Sequence, residues 1–466
     1  MPLKQFTIDF QELVTHQYLR FDEKFWLTIK NIAVYKYIFL KDVFDLINGN
    51  SYTEYYTEEK TSIPYIRIGN LSFKHDINAN NLIYLDESCE ISEEKKMKKD
   101  DLILATIGAT IGKINLAREF EGGTFSNNTV LFRLKNKEKH NPYFYEKLFQ
   151  SRIIQKYIWG VVSQKAQPNL QNYDLQKIKI PLISKLKQDK VVVQIKPIEK
   201  KIKEMKSKIV PIQEIIDKVF AREFNFDLEK FEELKKIKNY YLELSNFANN
   251  KDVRQSVKFH RTVGFFINDE LKKVTDKKIK DFIAEPIVLG KSVSPVNYDD
   301  SGDYFYVSMA NIKNWKFESE DVKLISKEYS DKNLNKAVSK DDILMARSGE
   351  GTIGKVALIN DEDLQGIFAD FTMRIRLKNY NSLFAYYYFR TSYFQYLVEI
   401  NKKGLGNNTN IFPSQIQEFP MINIPLKKQQ KIVDEIKTEL DKQEEMNKRI
   451  EKERNKINEI IEGAVR

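Results

Sequence analysis

From residue 191 the apolar positions fall at Val191, Ile195, Ile198, Ile202, Met205, Ile209, Ile212, Ile216 and Val219. The steps alternate four and three without a miss, which is the seam of a heptad helix packed against a partner helix. A second seam near the end carries Ile432, Ile436, Met446, Ile450, Ile457, Ile460 and Ala464 in one register and is interrupted by Glu439, Gln443 and Glu453. Residues 427–466 hold 11 basic and 10 acidic side chains, the composition of a solvated coiled-coil exterior. Each predicted helix has the other as its obvious partner. Pro197 can sit near a helix start, whereas Pro211 lies inside the first seam and predicts a kink there.

Elsewhere the period is shorter. YIRI (65–68), DLILATI (101–107), GKINLA (112–117) and TVLFRL (129–134) are β-branched or aromatic runs bounded by Gly, Asn and Asp, and predict strands. YVSM (306–309), DILMAR (342–347), GKVALI (354–359) and TMRIRL (372–377) repeat the pattern. The stretches 141–158 and 381–398 predict aromatic-rich helices, and 1–40 and 226–284 helical or mixed structure. The fold class is α/β, of mixed α+β character.

These correspondences are an internal duplication. DDLILATIGATIGK (100–113) and DDILMARSGEGTIGK (341–355) share 8 of 14 positions once one residue is inserted, at an offset of 241. The offset also carries Tyr65 and Asn70 onto Tyr306 and Asn311, Gly49 and Ser51 onto Gly290 and Ser292, and KQDKVV (187–192) onto KQQKIV (428–433). RLKN (133–136) recurs at 376–379. A period near 240 exceeds any solenoid unit, so two copies of one domain arrangement are expected.

Composition narrows the function. At about 150 residues per domain, 466 residues suggest roughly three structural units. Apolar residues at 42% suffice for real cores. One cysteine, Cys89, and four histidines leave neither a disulfide framework nor a Cys/His zinc cluster. No apolar run approaches a membrane span and the first residues lack a secretory pattern, so a cytoplasmic protein is expected. The net charge of +10 rests on 61 Lys against 15 Arg, a skew that by itself argues only weakly for phosphate contacts.

Catalytic motifs fail on inspection. GEGTIGK (349–355) matches a P-loop formally, but Val356 stands where Ser or Thr must hold magnesium, and GATIGK (108–113) is one residue short. NPYF (141–144) approximates a methyltransferase base grip, yet no cofactor loop precedes it and the second copy reads NSLF; a helix cap explains it better. EEK at 58–60 and 93–95 and the scattered His16, His75, His140 and His260 form no catalytic set, and no metal site is expected. Amide-rich and basic loops remain. The candidate DNA-facing residues are Lys113, Arg347, Lys355, Lys402 and Lys403, followed by Asn127, Asn128, Gln164 and Lys165, because such side chains meet phosphates and base edges.

The duplicated D-D-I-L-x-A-x-x-G-x-x-G-K block, the PYIRIGN strand (64–70), the early RFDEKFW (20–26) and the Pro-Leu-x-x-Gln-Gln-x-Ile entry to the last helix resemble the specificity subunit of type I restriction–modification enzymes. The second copy departs in having Arg261-Thr262-Val263 for Arg20-Phe21-Asp22. The resemblance implies a first target-recognition domain over 1–184, a central spacer helix over 185–224, a second target-recognition domain over 225–426 and a C-terminal spacer helix over 427–466, the two spacers pairing antiparallel. It implies a non-catalytic chain that reads a split, asymmetric duplex site and docks two methyltransferase subunits and restriction (translocase) subunits. Cofactors would then belong to those partners: S-adenosylmethionine, and ATP with magnesium for restriction. About 35 helical residues span roughly 50 Å, long enough for half-sites that recur on one face of B-DNA about every 34 Å. The alternatives are a specificity chain whose partner fuses methylase and nuclease, as in type IIB systems, a nucleotide- or S-adenosylmethionine-using enzyme, and a coiled-coil scaffold without a nucleic acid role.

Overall fold

A computed structural model of the chain describes residues 36–465 except 75, 163–167, 177, 246–255, 319–321, 350 and 405–408. RFDEKFW, His16, His75, Gln164 and Lys165 therefore lie outside the described residues. The chain divides into two units, Met1–Lys208 with Asn447–Arg466, and Ile209–Met446.

In the first unit an antiparallel sheet runs in the order β2 (Phe44–Asn48), β9 (Thr129–Leu134), β6 (Leu102–Ala105), β7 (Ile114–Leu116). Beside it lies a second sheet of β3 (Tyr56–Thr57), β5 (Ile83–Leu85), β4 (Ile63–Ile66) and β8 (Thr124–Phe125), with β4 and β8 parallel. β1 (Tyr37–Phe39) pairs with β10 (Lys179–Pro181). The second unit repeats the scheme. One sheet is β11 (Val288–Leu289), β19 (Thr372–Ile375), β16 (Ile343–Ala346), β17 (Val356–Leu358); the other is β15 (Leu324–Ile325), β12 (Tyr304–Val307), β18 (Gly366–Phe368), again with one parallel pair.

The unbroken apolar run Leu102–Ala105 follows from this layering. Leu102 and Leu104 join Val130 and Phe132 in a core shared with helices, while Ile103 and Ala105 join Leu131 in a core on the opposite face. A strand covered on both faces has no polar alternate. In the second unit Ile343 and Met345 face the helical core and Leu344 and Ala346 the other.

The helices correct the sequence-based expectations in three places. The segment 141–158 is two helices, α1 (Pro142–Gln150) and α2 (Arg152–Val161), parted at an extended Ser151. The segment 381–398 is likewise α7 (Ser382–Arg390) and α8 (Ser392–Asn401), parted at an extended Thr391 whose hydroxyl accepts the Phe394 amide. A seam of apolar residues continues across each joint, so periodicity alone does not reveal the break. NPYF is a helix cap: the Asn141 side chain accepts the Tyr143 and Phe144 amides, and Pro142 needs no donor at its first-turn position.

The expected single spacer over 185–224 is also two helices, α3 (Lys185–Lys206) and α4 (Ile212–Phe224). Pro211 is extended and serves as the cap of α4, so the predicted kink is a full interruption. Ile209 falls between the helices and Ile212 is 45% exposed, so the heptad seam does not run through them. Between α4 and the sheets of the second unit come α5 (Leu228–Lys236) and α6 (Thr262–Val274). The last helix, α9 (Leu426–Val465), is continuous. Its residues up to Met446 belong to the second unit and those from Asn447 to the first.

Pairing along this helix is antiparallel in both units. In the first, Val191, Val192 and Ile195 share a core with Ile461, Ala464 and Val465, while Lys201 meets Glu453 at 2.7 Å. In the second, Ile216, Val219 and Phe220 share a core with Ile432, Val433 and Ile436, the Val210 amide donates to Gln443, and Arg222 meets Glu435 at 2.6 Å. Glu453 and Gln443 looked like interruptions of the seam; both are its hydrogen-bonded partners. Of the remaining predicted seam residues, Ile202 and Ile450 are buried, and Ile198, Met205, Met446, Ile457 and Ile460 are half-buried.

Candidate nucleic-acid interface

The motifs shared by the two copies build the same support in each. Asp101 is buried and takes Arg133 in a two-pronged pair, Nε to Oδ1 at 3.1 Å and Nη2 to Oδ2 at 2.7 Å. Asp342 takes Arg376 in the same way at 2.7 Å on both prongs. A buried carboxylate needs this compensation. Asn70 and Asn311 each accept the backbone amide three residues upstream, from Arg67 and Ser308. Tyr65 and Tyr306 donate to the carbonyls of Asn50 and Lys291, and burial pushes both phenols up.

The glycine turns are locked from below. Gln155 donates to the Gly112 and Phe149 carbonyls, both at 2.7 Å, and Gln395 donates to those of Gly354 and Phe389 at 2.9 and 2.6 Å. Gly112 and Gly354 sit at φ +88° and +81°, and a Cβ on either would fall within 3.0 Å of side-chain atoms that include its glutamine. The turns at Gly112 and Gly354 are thus each clamped by a glutamine.

Above this support the two units differ. The first carries a polar cleft of about 560 Å³. Arg67, Asn70, Asn78, Asn80, Asn81 and the pair Asn127 and Asn128 line it, with Tyr56 and Tyr65 at one wall. Nε of Arg67 has no hydrogen-bond partner among the described residues. Amide side chains present a donor and an acceptor together, the pattern that reads adenine edges, and Arg suits guanine or phosphate.

The second unit builds its rim from aromatics. The Arg347 guanidinium lies 5.6 Å from the Phe371 ring and 5.9 Å from the Phe412 ring, and its Nε has no partner among the described residues. The rings are 47% and 39% exposed. Ser348 and Lys403 both bridge to Asn410, which brings Arg347 and Lys403 to one edge.

A family model for the type I restriction modification DNA specificity domain matches residues 34–214 and 271–456. The two matched stretches cover both copies and most of the chain.

The chain belongs to the type I restriction–modification DNA specificity family. It is a DNA specificity subunit of that family.

Among solved structures it is similar to a chain described under "Structural basis underlying complex assembly and conformational transition of the type I R-M system", at 14% identity and TM-score 0.47, covering 93% of this chain and 97% of that one. It is also similar to the type I restriction–modification S subunit from M. genitalium, at 12% identity and TM-score 0.38, covering 92% and 96%. A third is the HsdS subunit from Thermoanaerobacter tengcongensis, at 14% identity and TM-score 0.32, covering 93% and 97%. No curated protein sequence matches the chain.

The candidate DNA-facing residues nominated from sequence are dispersed by the fold. Asn127 and Asn128 line the first cleft. Lys113 is half-buried at the foot of its turn, its ammonium 6.0 Å over Phe73, and Lys355 occupies the same half-buried position in the second unit. Lys402 is turned inward: its side chain is 12% exposed and its ammonium meets Glu399 at 2.7 Å. Lys403 is exposed beside Arg347.

Sequence reading missed Arg67 and the Asn78–Asn81 stretch. The signal was present in the amide density of HDINANN (75–81). No helix among the described residues is long and apolar enough to cross a membrane. No group of three or more His, Cys, Asp or Glu side chains among the described residues could hold a metal ion.

Proposed function

We propose that the chain is the non-catalytic, sequence-reading subunit of a type I complex, each unit meeting one half of a split, asymmetric duplex site. One observation carries this reading: the two units repeat one hydrogen-bonded support and mount different side chains on it. Identical readers would give a symmetric site, whereas these favour an asymmetric one. The antiparallel helix pairs would set the number of base pairs between the half-sites and offer the docking surface for two methyltransferase subunits and the restriction subunits. S-adenosylmethionine, ATP and magnesium belong in this reading to those partners.

The test is to sequence methylated bases in host DNA with and without the gene, and to measure duplex binding by the complex with its methyltransferase partner. A bipartite motif that vanishes with the gene is the expected result, with affinity falling steeply as salt rises. A contiguous motif, or unchanged methylation, defeats the proposal. A partner that fuses methylase and nuclease would give the same motif and is told apart by the partner's size alone. Labelled S-adenosylmethionine or nucleotide retained by the isolated chain would instead favour an enzyme, and salt-insensitive assembly without DNA retention a scaffold.

A further inference from the structure

Superposing the two copies by their hydrogen bonds locates the positions where the readers diverge. The Thr106 amide donates to the Asn128 carbonyl at 3.0 Å, and the Leu170 amide donates to the Thr106 carbonyl at 2.9 Å. In the second unit the Arg347 amide donates to Phe371 at 3.0 Å and the Ile411 amide to Arg347 at 2.9 Å. Ala105 and Ala346, the preceding residues, each donate to the lysine of the glycine turn at 2.9 Å. These three backbone bonds recur in both units.

The side chains beside them differ. Thr106 matches Arg347, Asn128 matches Phe371, and Gln171 matches Phe412. Three polar side chains of one unit are replaced together by a cation and two rings. Support positions close by keep their identity: Thr129 and Thr372 each donate to the carbonyl three residues upstream at 2.6 Å.

We infer that Arg347, beside the rings of Phe371 and Phe412, is a specificity-determining residue of the second unit and reads a guanine. The inference rests on the proposed function. Three physical points support it. A guanidinium beside rings is already ordered and partly dehydrated, so little side-chain entropy remains to be lost on binding. Two phenylalanines exposed by 47% and 39% serve no core and are covered once DNA lies on them. Arg is the side chain that matches the O6 and N7 acceptors of guanine with two parallel donors. The matching position of the first unit holds Thr106, whose hydroxyl is spent on the Asn128 carbonyl at 3.0 Å, so the first unit places no such cation there.

The experiment uses the full chain in complex with its methyltransferase partner, reading the methylated motif and the relative affinity of duplexes altered at single base pairs. Wild type is expected to require guanine at one position of one half-site. Arg347→Ala and Arg347→Gln should each lower the preference for guanine about ten- to a hundredfold, leaving the other half-site unchanged; Gln keeps a polar side chain there but pairs with adenine N6 and N7 rather than guanine O6 and N7. If the alanine variant fails to assemble, the glutamine variant decides. Guanine preference retained in Arg347→Gln overturns the inference, and so does an equal loss on all sequences with a shallower salt slope, which marks a phosphate contact. A wild-type complex that modifies no split site overturns both this inference and the proposed function; a split site with unaltered base preference in the variants overturns the inference alone.

Discussion

The Gln188 side chain accepts the Asn141 backbone amide at 2.8 Å and donates to the Ile183 carbonyl at 2.8 Å. It stands in the first turn of α3 and fastens that helix to the cap of α1. Gln429 does the same in α9, accepting from Asn381 at 2.9 Å and donating to Ile424 at 2.8 Å. Both glutamines are buried, 0% and 2% exposed.

Gln188→Leu and Gln429→Leu should therefore each cost about 1–3 kcal/mol, since each leaves a buried amide and carbonyl unpaired. Thermal melting of the variants checks this. Unchanged melting in both would mean that the staple adds nothing to water-filled alternatives.

Gly112→Ala and Gly354→Ala combine a positive φ with a clash, whereas Gly108 has a positive φ of +61° and open space around it. Gly108→Ala should cost about 1 kcal/mol, and the other two should cost more. Equal losses at Gly108 and Gly112 would show that the glutamine clamp yields freely.

The heptad seam predicts equal weight for Ile195 and Ile212, but they are 0% and 45% exposed. Ile195→Ala should cost about 2–5 kcal/mol and Ile212→Ala under about 1 kcal/mol. Denaturant unfolding distinguishes them, and a large effect at Ile212 would restore a continuous seam.

Glu199 gives a pH dependence. Burial pushes its carboxyl up to about 7, against the pull of the Arg118 guanidinium. Since the folded value lies above the ordinary 4.5, the folded state holds the proton more tightly. Its contribution is full below about 4.5 and is lost as pH rises through about 7. Glu199→Gln should flatten the stability profile between these values, read from melting temperatures across pH; an unchanged slope contradicts it.

Much of the fold was legible in short range. The strands over 102–105, 129–134, 343–346 and 372–375 are strong β-formers bounded by turn residues, and a strand covered on both faces is apolar throughout. The joints at Ser151 and Thr391 were hidden because the apolar pattern crosses them unchanged. Pro211 signalled trouble, but whether a proline kinks or ends a helix depends on what the following turn packs against, and here Ile216 and Phe220 bury into the second unit's core.

Among the candidate interface residues, charge alone does not tell one lysine from the next. Lys402 and Lys403 are adjacent and chemically identical, yet one is folded onto Glu399 and the other exposed. Arg67 was overlooked because a single arginine after a strand makes no local pattern; Asn127 and Asn128 reach the same cleft only through the fold.

The amino-acid sequence by itself determined the duplication, the α/β character, the paired helices and the family, because each is written in local periodicity or in residues whose spacing recurs 241 positions on. Only the tertiary structure decided which side chains line the first cleft, that the glycine turns are clamped and that Arg347 lies near two rings. These depend on contacts between segments tens of residues apart, whose burial and direction are set by packing and leave no period along the chain.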